Sequence, residues 1–365
     1  MNTMKYNFAR TNETQDNLVL AFNELVADFR AGKSDTKEYK ENNKKYAEAL
    51  VKYCLDGSGV EYTDIEMVKN PQFSVHNLMF VNKFNTVLAQ SITPAVPEVT
   101  SQGYDKLYEI HQVGWGDNAK YEVESNEYFI VYDVAEGQNR GNAQTMYNTE
   151  YTITARPKQI SVKVDWYKVA SNKFDFGKFG VKIAKSFESY IQNAVIRGMM
   201  NAVTNAADLG IGGYAKIGAS KANWIDLAQK VSAANGGADV YALGTLSALG
   251  KVIPDDAGFR FMSDDDLVTK GYLPVYNQVP CFELKQAILP TTLNGANPTL
   301  IVPDNYIYFI PMSFNKPVKV AFEGNTVTVT TDPTHTADAH LGLTITMRIG
   351  VDTIVGSKFG ILTVN

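Results

Sequence analysis

The sequence predicts an α+β chain built on one long central helix, with a polar β-hairpin projecting from its body. Three observations carry this. Residues 178–203 keep apolar side chains at spacings of three and four with no internal break, the pattern of a single amphipathic helix. The stretches QISVKVDW (159–166) and LGLTITMRI (341–349) alternate with period two, the pattern of half-buried strands. Ahead of both lies GWGDNAKYEVESNEYFIVYDVAEGQNRG (114–141), rich in strand formers but interrupted by Glu122, Glu124, Asn126 and Glu127.

In chain order, residues 13–31 place Leu18, Val19, Phe22, Leu25, Val26 and Phe29 at helical spacing, with Thr14 as the cap and Gly32 as the stop. A second helix is predicted from Ser34 to Asp56, highly charged, with Tyr46, Ala49, Leu50 and Tyr53 on one face. Two readings of this helical pair stay open: an amphipathic hairpin on the chain's own core, or an arm that packs on a neighbouring subunit. A third helix fits residues 74–90, capped by Ser74, with Val75, Leu78, Met79, Val81, Phe84, Val87 and Leu88 as its apolar side. TPAVPEV (93–99) then stops helix twice, because proline lacks the amide a helix interior needs.

From Tyr104 to Trp166 the pattern is β. In 159–166, Ile160, Val162, Val164 and Trp166 face one side and Ser161, Lys163 and Asp165 the other. The turn-rich AEGQNRGNAQ (135–144) makes the preceding segment a long hairpin. A two-stranded hairpin alone is marginal in water and needs a partner surface. The central helix runs through Phe179, Ile183, Phe187, Ile191, Val195 and Met199 and spans on the order of 40 Å. Gly180 and Gly198 on the same stripe predict close packing against other elements. Residues 222–260 alternate helix, strand and helix, a small α/β region. VKVAFEGNTVTVT (318–330) reads as a hairpin turning at Gly324-Asn325, a pair that tolerates positive φ. Leu341, Leu343, Ile345, Met347 and Ile349 share one side of the strand that follows.

Composition narrows the function. The 365 residues carry a net charge of −5, unlike the basic footprint of a general nucleic-acid binder. Cys54 and Cys281 lie far apart and fit free thiols in a reducing compartment. No apolar run reaches the ~20 residues that span a bilayer, and MNTMKYNFARTNETQD has no apolar core of a secretory signal.

The search for chemistry returns an empty site. GGYAKIGAS (212–220) approaches a phosphate-binding loop, but Ala219 stands where the lysine belongs, and the tract follows a helix rather than a strand. It also fails the dinucleotide pattern at Ala215. Of the four histidines, His76, His111, His335 and His340, only the last two are near each other, in HTADAH with Asp338. That stretch reads as a loop, and no helical spacing fixes both rings for zinc. Asp255, Asp256, Asp264, Asp265 and Asp266 lack the alternating oxygen ligands of a calcium loop and read as a solvated acidic face. GTLSALG has the wrong spacing for a nucleophile elbow. No catalytic, cofactor-binding or metal residue is assigned, and the chain is expected not to be an enzyme.

The order of elements, and most of all EIHQVGWGDNAKYEVESNEYFIVYDV followed by ISVKVDWYKVASNKFDFGKFGVKIAKSFESYIQNAVIRGM, resembles the major capsid proteins of tailed bacteriophages with the Hong Kong 97-like fold. The resemblance covers roughly residues 60–365. It implies an N-terminal helical arm over 1–98, an extended loop and flanking strands over 99–157, and a peripheral domain over 158–214 with its spine helix at 178–203. It further implies an axial domain over 215–300 and closing strands over 301–365. The implied function is a coat protein that self-assembles through hexamers and pentamers into an icosahedral virion shell around double-stranded DNA. Assembly is expected in the host bacterial cytoplasm, with the portal and scaffolding proteins as further partners, no membrane and no cofactor. An encapsulin-type compartment shell is the alternative, and an α/β enzyme with a cryptic site the more distant one. Many such proteins lose an N-terminal segment by cleavage; here the arm is expected to be retained. Some carry Lys–Asn cross-links between subunits; Lys120 lies in the loop, and no local pattern names a partner for it.

Overall fold

The computed structural model describes residues 13–56, 77–92, 104–124, 129–133, 136, 143–145, 148–164, 168–169, 171–207, 209–252, 269–289, 292, 297–312, 316–331 and 341–364. The chain divides into two compact units. The first comprises Met1–Val99, Pro157–Glu188 and Asn325–Arg348, and the second Thr100–Arg156, Ser189–Gly324 and Ile349–Asn365.

The first unit opens with three helices that pack on one another, α1 (Glu13–Arg30), α2 (Lys37–Leu55) and α3 (Leu78–Ile92). Their apolar stripes follow the prediction in part: Ala49 of α2 and Met79 of α3, expected inside, are exposed, and Val51 and Phe80 are buried in their stead. Leu18, Phe22, Leu25 and Val26 are buried from α1, Tyr46, Leu50 and Val51 from α2, and Phe80, Phe84, Val87 and Leu88 from α3. The caps differ from expectation. Thr14 stands inside the first turn of α1. Helix α2, expected from Ser34, begins at Lys37 and is capped by Thr36, whose hydroxyl accepts the Tyr39 amide at 3.2 Å. Asn77 takes the Phe80 amide at 3.2 Å at the start of α3, while Ser74 lies outside the described residues.

The central helix is α4 (Phe176–Thr204). Its first turn is fastened to α2. The Tyr39 hydroxyl donates to Asp175 at 2.5 Å, the Asn43 amide group donates to the Phe174 carbonyl at 2.9 Å, and the Phe176 amide donates back to Asn43 at 3.2 Å. Asp175 also caps α4 through the Lys178 amide at 2.9 Å. Gly180 lets α1 approach, since a Cβ there would stand 2.7 Å from Val26 and 3.0 Å from the Phe22 ring. The helical pair therefore spends its apolar face on its own chain, as the first of the two readings holds. Gly198, in the second unit, lies against Thr353 in the same manner.

Four strands, β1 (Tyr108–Val113), β4 (Arg156–Val164), β10 (Val318–Thr331) and β11 (Leu341–Thr353), form a sheet in the order β1-β10-β11-β4. Val164, Leu343, Ile345, Met347 and Ile349 are buried from their predicted faces. β10 corrects the sequence reading, because no reversal occurs at Gly324-Asn325 and one 14-residue strand runs through. Gly324 does take a positive φ of 64°. It answers a close approach rather than a turn, since a Cβ there would meet the Trp115 indole, within 2.8 Å of Cζ2.

The second unit holds a six-stranded mixed sheet. It is made of β5 (Ala215–Ile217), β6 (Val240–Gly244), β7 (Val275–Tyr276), β8 (Val279–Glu283), β9 (Tyr306–Pro311) and β12 (Gly360–Thr363), in the order β5-β12-β9-β6-β8-β7. Helices α5 (Lys221–Ala234) and α6 (Leu246–Gly250) accompany it. Trp224 of α5 is its anchor, edge-on to Tyr276 and Phe309 at 5.2 and 4.7 Å, with its indole N–H on the Tyr276 carbonyl at 3.2 Å. Leu227, Val231, Ala242, Ile307 and Leu362 close the core around it. The predicted α/β stretch thus supplies one strand, β6, of a sheet completed by β5 before it and by β7, β8, β9 and β12 after it.

Candidate assembly surface

The polar segment forms the antiparallel hairpin β2 (Ala119–Glu124) and β3 (Asn148–Ile153), paired from Ala119↔Ile153 to Glu124↔Asn148. Alternation sends Ala119, Tyr121 and Val123 to one face and Lys120 and Glu122 to the other. Only the root is covered. Ala119, Tyr121 and Ile153 bury against Ala321 and Ile354, with Val123 packed alongside. Further out, Asn148, Thr149, Glu150, Tyr151 and Thr152 are exposed in succession, so both faces of β3 meet solvent. Glu122 stands directly across from Glu150, a like-charge pairing that costs stability. It is relieved by Lys120 on Glu150 at 2.7 Å and Asn148 on Glu122 at 2.9 Å. Such exposed pairs are worth about 0.2–1 kcal/mol, too little to hold a free hairpin together.

Beyond the paired strands, Phe129, Ile130, Val131 and Tyr132 are all exposed, Val131 at 94%. The Gln144 side chain grips this stretch as a strand neighbour would. It accepts the Ile130 amide at 2.8 Å and donates to the Ile130 carbonyl at 2.7 Å. Four consecutive large apolar side chains thus stand exposed beside this contact, outside any regular strand. Each would gain about 1.5–3 kcal/mol on full burial. On α4, Lys178, Lys182 and Lys185 form an exposed ridge with no ion pair among the described residues.

The remaining sequence candidates fall apart as sites. The glycine tract becomes a 3-10 turn (Gly212–Tyr214), strand β5, and the cap of α5, where Ser220 accepts the Asn223 amide at 3.2 Å. The Gly218 amide, which a phosphate would need, donates to the Thr363 carbonyl at 2.8 Å. His111 lies 3.1 Å from Glu109 with its ring 4.7 Å from that of Tyr121. His76, His335, Asp338, His340 and the five aspartates between 255 and 266 lie outside the described residues. Among the described residues no group of three or more His, Cys, Asp or Glu is arranged to hold a metal. No described helix is long and apolar enough to cross a membrane. Cys54 and Cys281 are free and buried. Burial pushes both thiols up, Cys281 to about 12, which leaves them protonated and unreactive. Sequence reasoning missed two buried charges on β10, Lys319 and Glu323. The signal was there in VKVAFEG, where a lysine and a glutamate interrupt an apolar run.

Residues 21–363 match the family described as "SPbeta prophage-derived putative capsid protein YonB". Among solved structures, the chain is similar to the subunit in the asymmetric unit of the bacteriophage PhiM1 mature capsid. The two are 11% identical with a TM-score of 0.50, over 73% of this chain and 88% of that one. It is also similar to the capsid of the native GTA particle, 12% identical with a TM-score of 0.47, over 73% and 91%. The head structure of Helicobacter pylori bacteriophage KHP40 gives 12% identity and a TM-score of 0.46, over 73% and 89%. No curated protein matches the chain.

Proposed function

The chain belongs to the YonB family of prophage-derived capsid proteins, and from that premise we propose that it is the major subunit of an icosahedral shell closing around double-stranded DNA. Its fold is the Hong Kong 97-like capsid fold and its role is that of a coat protein of the virion. The subunit associates with copies of itself as hexamers and pentamers. The observation that carries this reading is the hairpin: one strand, β3, exposed on both faces, and four apolar side chains beyond it open to solvent. Such a surface is marginal alone and gains its stability by lying across the next subunit. In this reading α1–α3 form the N-terminal arm, residues 158–214 with α4 the peripheral domain, residues 215–300 the axial domain and residues 301–365 the closing strands, and the outer faces of α1 and α2 give a second contact between copies. Assembly takes place in the host cytoplasm, with scaffolding and portal proteins as partners. The mild net charge of −5 suits a container that must not bind its genome tightly. The subunit works as a structural part, without catalysis or cofactor.

Expression of the chain alone and together with its neighbouring phage genes, followed by negative-stain microscopy and nucleic-acid analysis, tests the proposal. Closed particles, or capsomers competent to close, are expected. A monomer under every assembly condition contradicts the shell, and particles filled with protein cargo instead of DNA contradict the genome-container reading.

A further inference from the structure

We propose that the buried charges of β10 clamp the root of the hairpin and set the direction in which it leaves the subunit, which makes Glu109, Lys319 and Glu323 positioning residues for assembly. The proposal rests on the reading that the hairpin lies across a neighbouring copy. β1 and β10 run parallel, in register from Tyr108↔Val318 to Val113↔Glu323. The chain then leaves β1 through a tight turn, in which the Asp117 amide donates to the Gly114 carbonyl at 3.3 Å, and enters β2.

β10 holds that path before, within and after the turn. Before it, Lys319 pairs with its register partner Glu109, which His111 also meets. Within it, Glu323 accepts the Gly116 amide at 3.0 Å, and the Trp115 indole lies on the Gly324 backbone. After it, the Lys319 ammonium stands 5.4 Å from the centre of the Tyr121 ring of β2. Lys319 and Glu323 are only 3% and 5% exposed. Buried charges are costly, and apolar side chains of the same size would hold two strands together as well or better. What the charged groups add is direction, because hydrogen bonds weaken steeply outside a limited range of distance and angle, whereas apolar contact is indifferent to both.

Direction matters at the root of a lever. Six paired residues span ~20 Å, so a tilt of ~10° at the root moves the far end by ~3.5 Å, about one residue of strand. A hairpin displaced by that much presents the wrong side chains to its neighbour.

The test places spin labels at Thr149 and Lys221, with Cys54→Ala and Cys281→Ala in the background, and measures their distance distribution in unassembled subunits. The unaltered clamp is expected to give one narrow distance. Glu323→Leu, and separately Glu109→Gln with Lys319→Met, should broaden it while the subunit still unfolds cooperatively, and the yield of uniform shells should fall about tenfold. Glu323→Gln keeps an oxygen for the Gly116 amide and should restore the narrow distance. Trp115→Ala, which alters an exposed ring, covers the case in which Glu323→Leu fails to fold. Equally narrow distances in the clamp variants, or uniform shells at the unaltered yield, overturn the clamp. If replacing the whole hairpin by a linker leaves shells intact, the hairpin reading itself falls; if that replacement abolishes shells while clamp variants assemble normally, only the clamp falls.

Discussion

The central helix and the hairpin use their side chains in opposite ways. On α4, Phe187, Ile191, Val195 and Met199 are buried turn after turn within the chain. On β3, five consecutive residues are exposed, with none of the described residues covering them. In the proposed reading the difference separates two tasks within one sequence: α4 makes the subunit fold, and the hairpin makes subunits meet. Damage to each should appear in a different measurement.

The largest effect is expected from Ile191→Asp. It places an unpaired carboxylate where the side chain is 4% exposed, a cost of several kcal/mol and thus a large share of a domain's stability. Circular dichroism and thermal unfolding should report a misfolded or aggregated subunit. Phe129→Ser with Val131→Ser should do the reverse. Both side chains are exposed in the subunit, so its thermal midpoint should hold. The protein concentration needed for assembly, read by light scattering, should rise at least about tenfold, since even ~1.4 kcal/mol of lost contact is worth that factor.

The contrast also governs what the sequence could disclose. Regular burial leaves a regular pattern, so the helix expected over 178–203 is found over Phe176–Thr204. The exposed hairpin was legible only as a lack, strand formers interrupted by Glu122, Glu124 and Glu127 with no apolar face to lie on. The reversal expected at Gly324-Asn325 was a local inference defeated by a distant residue, because Trp115 takes up the space above Gly324. The parallel pairing of β1 with β10 joins residues some two hundred positions apart, and neither strand's own pattern encodes its partner. For the same reason Lys319 and Glu323 could be noticed as odd charges but not assigned to Glu109 and Gly116.

Acid sharpens the comparison at an intermediate level. Burial by itself would raise the Glu109 carboxyl, but the hydrogen bond and charge of Lys319, helped by His111, outweigh it and hold the group below the ordinary glutamate value. Burial, and after it the charge of the same carboxylate, raises the Tyr121 phenol of β2 to about 12. A carboxyl depressed in the folded state stabilises above its unfolded value, and the contribution is lost as pH falls through the folded one. The advantage of the natural chain over Glu109→Gln, a few degrees in thermal midpoint, should therefore be present at neutral pH and vanish on acidification below the glutamate range. The smallest effect is expected from Lys178→Gln, Lys182→Gln and Lys185→Gln together. The fold should not change, and assembly at low salt should weaken by roughly two- to threefold, a difference that shrinks as salt screens the ridge.

The most direct measurement replaces Lys120–Thr149 by a short Gly/Ser linker and follows the product by far-UV circular dichroism, thermal unfolding and mass photometry under assembly conditions. A soluble, cooperatively unfolding monomer that forms no shells is the predicted result. A subunit that no longer folds, or one that still closes into shells, would contradict the division of labour between helix and hairpin.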